Sequence, residues 1–154
     1  MFLYYILALL IIGIDQFTKY LTVANIDLYE VVEVFPSLLS WMYIQNTGAA
    51  WSILEGQMWF FYIVTAIVVV IVVYYLQKYG RQSRLLSLAL SLVLAGAIGN
   101  VIDRIRLGYV VDMIRLEFID FPIFNVADMA LSVGVGLMIL YVFLDEQDKK
   151  RQAN

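Results

Sequence analysis

The polar residues able to do chemistry are few, and their spacing is regular. Asp15 and Lys19 stand four apart; Asn100 and Asp103 stand three apart, as do Asn125 and Asp128. On a helix each of these spacings puts both members of the pair on one face. Arg104 follows Asp103 directly, and Asp112 lies in Gly108-Tyr109-Val110-Val111-Asp112-Met113-Ile114, an unusually apolar setting for a loop carboxylate. The chain has neither His nor Cys. That excludes the usual general base, the Ser-His-Asp arrangement, the thiol nucleophile, disulfides, and imidazole or thiolate metal ligation. Acid–base work must fall to Asp, Glu, Lys, Tyr or a water assisted by Arg.

These residues must be positioned by apolar elements. Of 154 residues 63% are hydrophobic and 15% charged; a soluble domain is nearer half apolar and carries more charge. Four apolar segments stand out, at about 2–21, 57–77, 85–102 and 124–144. Each approaches the ~20 residues that cross a ~30 Å hydrocarbon core as a helix. Helices are required because lipid leaves backbone polar groups unsatisfied. The second segment is rich in Val and Ile, which favour strands in water, but its length and unbroken apolarity predict a span. The first lacks a basic leading region, and Asp15 interrupts its apolar run, so a retained span is expected there instead of a cleaved signal peptide. The expected fold is one all-α membrane domain over 1–154, with loops at about 22–55 and 103–123. Short β-prone runs at Val31–Phe35 and Leu38–Ile44, broken by Pro36 and by Asn46-Thr47-Gly48, predict a small sheet on the membrane surface. Phe35, Trp41, Tyr43 and Trp51 suit the interface. Gly134 and Gly136 are expected to allow close helix packing.

Basic residues set the orientation. Lys78, Arg81 and Arg84 between the second and third spans, and Lys149, Lys150 and Arg151 in the tail, are six of the ten. Four spans put that loop and both termini on one side, expected to be cytoplasmic. The outer ends of spans one, three and four then carry Asp15 with Lys19, Asn100 with Asp103 and Arg104, and Asn125 with Asp128. Three helices thus place polar groups at one depth, as a polar site at the outer boundary requires. Each group also has a plainer reading. Asp15 and Lys19 form a structural ion pair; Asn125 and Asp128 resemble a helix capping box; Asp103 and Arg104 make a charge pair at the membrane edge. Glu30, Glu33, Glu55, Glu117 and Asp120 read as solvated or interfacial. The net charge of −3 implies no charged partner, and no recognition module for nucleic acid is present.

Five motifs in order form a recognisable set: Asp15-Gln16-x-Thr18-Lys19, Asn46-Thr47-Gly48-Ala49-Ala50-Trp51, Gly96-Ala97-Ile98-Gly99-Asn100-x-x-Asp103-Arg104, Gly108-x-Val110-Val111-Asp112 and Phe121-Pro122-x-Phe124-Asn125-x-Ala127-Asp128. With them the chain resembles the lipoprotein signal peptidase (signal peptidase II) family over nearly its whole length. Trp51 stands where many members have Phe. The resemblance implies an aspartic endopeptidase of the bacterial cytoplasmic membrane, without metal or cofactor. It implies removal of signal peptides from prolipoproteins, with cleavage just before a Cys that carries a diacylglyceryl group. The family's catalytic pair falls on Asp112 and Asp128. Its supporting residues fall on Asp15, Lys19, Asn46, Gly48, Asn100, Asp103, Arg104 and Asn125. The partners implied are diacylglyceryl-modified signal peptides and membrane lipid, and a monomer is expected to suffice. The stretch 48–55 is a candidate gate.

Because Asp112 and Asp128 are sixteen positions apart, no single helix can pair them, so the chain through Pro122 must fold back against the fourth span. Two other classes compete. Four spans with Asp15, Asp103 and Asp128 could relay protons or cations, although the polar groups cluster at one end and do not line a path. Carboxylates and Asn could hold Mg²⁺ for an enzyme acting on lipid phosphate, although no tight ligand motif is present.

Overall fold

The protein was analysed as a computed structural model, which describes residues 1–48 and 53–153. Trp51 and the core of the candidate gate lie outside the described residues. Four long helices and three short strands follow in the order α1 (Phe2–Asn25), β1 (Val31–Phe35), β2 (Leu39–Asn46), α2 (Met58–Tyr79), α3 (Arg84–Leu107), β3 (Val110–Leu116) and α4 (Val126–Ala153). All four helices are long and apolar enough to cross a membrane, so the architecture is the one expected: four spans with a small sheet.

The helices are unequal. α3 packs against α1, α2 and α4, and its sequence explains why it can. It carries Ala, Gly and Ser where the others carry bulk, and small residues let helix backbones approach in lipid. A Cβ at Gly96 would strike the Ala127 carbonyl and Leu131 of α4; at Gly134 of α4 it would come within 2.9 Å of the Ala89 carbonyl of α3. Gly134 thus packs as expected. Gly136 does not: a Cβ there meets nothing within 4 Å, because it turns away from the α3 contact. Around this axis Val72, Leu76, Leu86, Leu90, Val93 and Leu94 form the core with Ala8. Outward-facing residues of the other helices, such as Leu9, Leu10, Val70, Ile71, Ile139 and Phe143, are exposed. Apolar side chains can cover this surface because lipid, not water, is the solvent.

The sheet corrects the expectation for the loops. β1 and β2 pair antiparallel within the first loop, as expected, but β3, from the second loop, adds to the other edge of β2. Leu39 pairs with Leu116 and Asn46 with Val110. Asp112 therefore sits on a strand, opposite Ile44, and not in an irregular loop. Asp103 and Arg104 likewise lie inside the last turns of α3, which runs to Leu107 before Gly108 caps it at φ +79°, donating its N–H to the Arg104 carbonyl. That left-handed conformation suits Gly and turns the chain directly into β3. Tyr43, expected at the interface, is buried against Val111 and Met113. Trp41 donates its indole N–H to Thr22 Oγ1 at 2.8 Å, tying β2 to the end of α1.

Candidate active site

The site forms where β3 meets the sheet-side ends of α1, α3 and α4. Beyond β3 the chain doubles back: Met113 and Ile114 donate their N–H groups to the Phe124 carbonyl, and Phe124 N–H returns to the Ile114 carbonyl. This fold-back through Pro122 delivers Asn125 and α4 beside β3. Asn125 then plays two parts. Its Oδ1 accepts from the Asp128 N–H at 2.9 Å, and Asp128 Oδ2 accepts from the Asn125 N–H at 3.2 Å. That reciprocal pair is a capping box with Asp for Glu, satisfying two donors left free at the helix start. The cap leaves the amide Nδ2 pointing away. It donates to Asp112 Oδ1 at 2.7 Å and to Asn100 Oδ1 at 3.1 Å. The capping reading of Asn125-x-x-Asp128 holds, and the same side chain also reaches β3 and α3.

Asp112 and Asp128 are each held by neutral donors. Asp112 Oδ2 accepts from Asn46 Nδ2 at 2.9 Å; Asp128 Oδ1 accepts from Asn100 Nδ2 at 2.7 Å. The three amides are oriented by groups whose polarity cannot reverse. Lys19 Nζ donates to Asn100 Oδ1 at 3.0 Å, the Gly48 N–H to Asn46 Oδ1 at 2.9 Å, and the Asp128 N–H to Asn125 Oδ1. Each amide must therefore present its NH₂ to a carboxylate. Burial, with the nearby charge of Asp128 adding to it, pushes the Asp112 carboxyl up to about 7, against the amide hydrogen bonds of Asn46 and Asn125.

Behind this pair lies a dry ion cluster. Lys19 Nζ lies 2.9 Å from Asp15 Oδ2 and 3.0 Å from Asp103 Oδ2, with all three side chains buried. Asp15 Oδ1 accepts the Ala127 N–H at 2.8 Å, so a carboxylate on α1 meets the positive end of α4. Asp103 Oδ2 accepts the Val111 N–H at 3.1 Å, fixing β3 to α3. Gly99 makes room for the cluster, since a Cβ there would come within 2.8 Å of Asp15 Oδ2. Sequence reasoning quoted Gln16 within a motif but gave it no part. Its amide bridges Asp103 Oδ1 at 2.8 Å, the Gly99 carbonyl and Asp15 Oδ2, both at 3.2 Å. The signal was a neutral polar residue beside Asp15 in an apolar span.

Arg104 pairs with neither Asp112 nor Asp128. It donates to the Gly48 carbonyl at 2.8 Å and lies 4.2 Å over the Phe61 ring. Its Nε is buried and has no hydrogen-bond partner among the described residues. Arg104, Gly48, Asn46, Asn100, Asp112 and Asp128 all line one cavity of about 530 Å³, whose other walls are Phe121, Pro122, Ile123 and Phe124 and the α4 residues Met129, Leu131, Ser132 and Val133. Polar groups gather at the sheet end; the rest is apolar. Asp15, Lys19, Asp103 and Asn125 are not among the lining residues.

Two carboxylates on a shared amide scaffold, one raised towards neutrality, at the polar end of an apolar cavity can activate a water and polarise a carbonyl. Known proteins agree in kind. Residues 7–144 match the family described as "Signal peptidase (SPase) II". A lipoprotein signal peptidase of Enterococcus faecalis (strain ATCC 700802 / V583) is 53% identical over 98% of this chain and 94% of the relative. One from Listeria monocytogenes serotype 4a (strain HCC23) is 51% identical over 96% and 97%. A bacterial membrane enzyme solved by the in meso method at 2.3 Å resolution superposes with a TM-score of 0.93, at 38% identity, covering 97% of this chain and 92% of that one. A second, at 1.9 Å resolution, gives 0.86 at 39% identity over 92% and 93%. The fold, the four apolar helices and these matches make the chain a multi-pass bacterial membrane peptidase that belongs to the signal peptidase II family.

Proposed function

We propose that the chain is an aspartic endopeptidase that removes signal peptides from diacylglyceryl-modified prolipoproteins, cutting before the lipidated Cys. The observation that carries this reading is that Asn125 joins the two carboxylates, its Nδ2 donating to Asp112 and its backbone N–H to Asp128, at the polar end of a cavity with an apolar wall. Two carboxylates in a poorly solvated site cannot both ionise cheaply, so they share one proton. Asp112, raised to about 7, carries it at neutral pH and donates a hydrogen bond to the scissile carbonyl. Asp128 takes a proton from a water as that water attacks the carbonyl carbon. The tetrahedral adduct collapses with proton transfer to the leaving amine, and no covalent enzyme intermediate forms.

The cavity's composition supports this substrate class. A signal peptide arrives as an apolar segment in the bilayer, and the diacylglyceryl chains add about 0.8 kcal/mol of membrane affinity per buried CH₂. They can stay in lipid while the Cys backbone meets the carboxylates. The basic residues between α2 and α3 and at the end of α4 support cytoplasmic termini and an extracytoplasmic site.

The test is cleavage of a synthetic diacylglyceryl-modified prolipoprotein by the purified protein in detergent with EDTA present, beside Asp128→Asn and beside the same peptide without lipid. The expected result is cleavage at the modified Cys that survives EDTA, vanishes in the variant and weakens sharply without lipid. No cleavage by a folded wild type, or equal cleavage of the unlipidated peptide, would overturn the reading.

A further inference from the structure

Among the described residues, the apolar wall of the cavity contains one polar side chain outside the amide and carboxylate cluster. Ser132 stands four residues after Asp128 on α4, so it shares that helix face one turn farther from the sheet. It lines the cavity and is exposed to it. The serine and threonine hydroxyls of α1 and α3 are occupied: Thr18, Thr22 and Ser91 donate to carbonyls of their own helices, and Ser87 to the Gly80 carbonyl. Among the described residues, none bonds the Ser132 hydroxyl, and it does not fold back onto its own helix. In lipid a hydroxyl without a partner is unfavourable.

The substrate has the complementary problem. A peptide must be extended at the scissile bond to present its carbonyl to the two carboxylates. Its neighbouring backbone N–H and C=O groups then lose their helical partners where no water replaces them. We propose that Ser132 anchors the substrate backbone on the signal-peptide side of the scissile bond. Four helical residues advance about 6 Å, and an extended peptide advances about 3.3 Å per residue. The anchored group therefore lies about two residues before the cleaved bond, and the Ser132 hydroxyl donates to that carbonyl. The proposal rests on the peptidase reading and assigns that site a contact to the main chain, so it holds whatever side chains the signal peptide carries.

The experiment measures KM and kcat for cleavage of the diacylglyceryl-modified prolipoprotein in detergent by wild type, Ser132→Ala and Ser132→Thr. Thr65→Val, which removes a span hydroxyl that does not line the cavity, runs as the control. One hydrogen bond of this kind corresponds to roughly a three- to tenfold change. Ser132→Ala should raise KM by about that factor with kcat nearly unchanged; Ser132→Thr, which keeps the hydroxyl, should stay within about twofold of wild type. A substrate whose amide two residues before the cleaved bond is replaced by an ester presents a weaker acceptor. It should lose affinity for wild type and lose little more for Ser132→Ala. If wild type cleaves and Ser132→Ala keeps its KM, the anchor is overturned while the peptidase reading stands. If the ester and the variant act additively, the contact is not to that carbonyl. If wild type does not cleave at all, the peptidase reading fails first.

Discussion

Two groups of buried carboxylates lie side by side in this molecule, and they are treated in opposite ways. Asp15 and Asp103 face an ammonium, with Lys19 within 3.0 Å of both, and they also accept from Gln16 and from backbone N–H groups of α4 and β3. Asp112 and Asp128 face each other across an asparagine and receive only neutral donors. The first arrangement gives each carboxylate an ion-pair partner. The second gives neither carboxylate one among the described residues, which is what the proposed sharing of one proton needs. The ion cluster joins α1, α3, α4 and β3; the pair beside it is the one proposed to do the chemistry.

The comparison breaks most sharply at the pair itself. Asp112→Asn and Asp128→Asn each remove the proton carrier while keeping shape, so turnover should fall at least about a hundredfold, with thermal unfolding within a few degrees of wild type. Substantial cleavage by either variant would take that residue out of the pair. Lys19→Met attacks the other group and should show the reverse pattern. Two buried carboxylates lose their cation, at about 3–5 kcal/mol, and folded protein should be lost on heating in detergent. Adding Asp15→Asn and Asp103→Asn to that variant should restore part of the stability. A Lys19→Met protein as stable as wild type would mean that the cluster is not a structural joint.

A smaller effect is expected from pH. With the Asp112 carboxyl raised from 3.8 to about 7, the protonated form is the one the folded state favours. Its contribution to stability is complete below about pH 4 and is lost as pH rises through 7. The pair's proton leaves over the same range, so kcat/KM should fall about tenfold for each pH unit above 7. A profile flat from pH 6 to 9 would contradict the shared proton. The smallest change comes from Asn46→Ala. That donor holds Asp112 down, so its loss should move the alkaline limb to higher pH and cost several-fold in rate at neutral pH. A limb that moves to lower pH would reverse the role assigned to Asn46.

How much of this was legible in the sequence depended on range. The spans were visible because apolarity over twenty residues is a local property. The pairs Asp15–Lys19 and Asn125–Asp128 were visible because three- and four-residue spacings are helical geometry, and the structure shows both contacts. β3 was not visible. Val110–Leu116 is a short run whose partner, Leu39–Asn46, lies some seventy residues earlier, and nothing local marks that pairing. Asp112 therefore read as a loop residue, marked by its apolar setting and given a role only by the resemblance. Asp103 and Arg104 read as the outer edge of the third span because charge ended the apolar count, whereas the helix continues to Leu107. Gln16 went unassigned because a neutral amide carries no charge pattern to notice, and its three partners become neighbours only once α1 packs on α3.

The double duty of Asn125 has a consequence for how such an enzyme comes into being. The residue that starts α4 also joins the two carboxylates, and its amide is aimed by contacts from α3, α4 and β3. No partly inserted chain holds that constellation. A nascent protease with the first spans in the bilayer and the last still leaving the ribosome carries Asp112 without its mate. On the proposed mechanism activity begins only when the last helix is in place, so completion of the chain is itself the activation step.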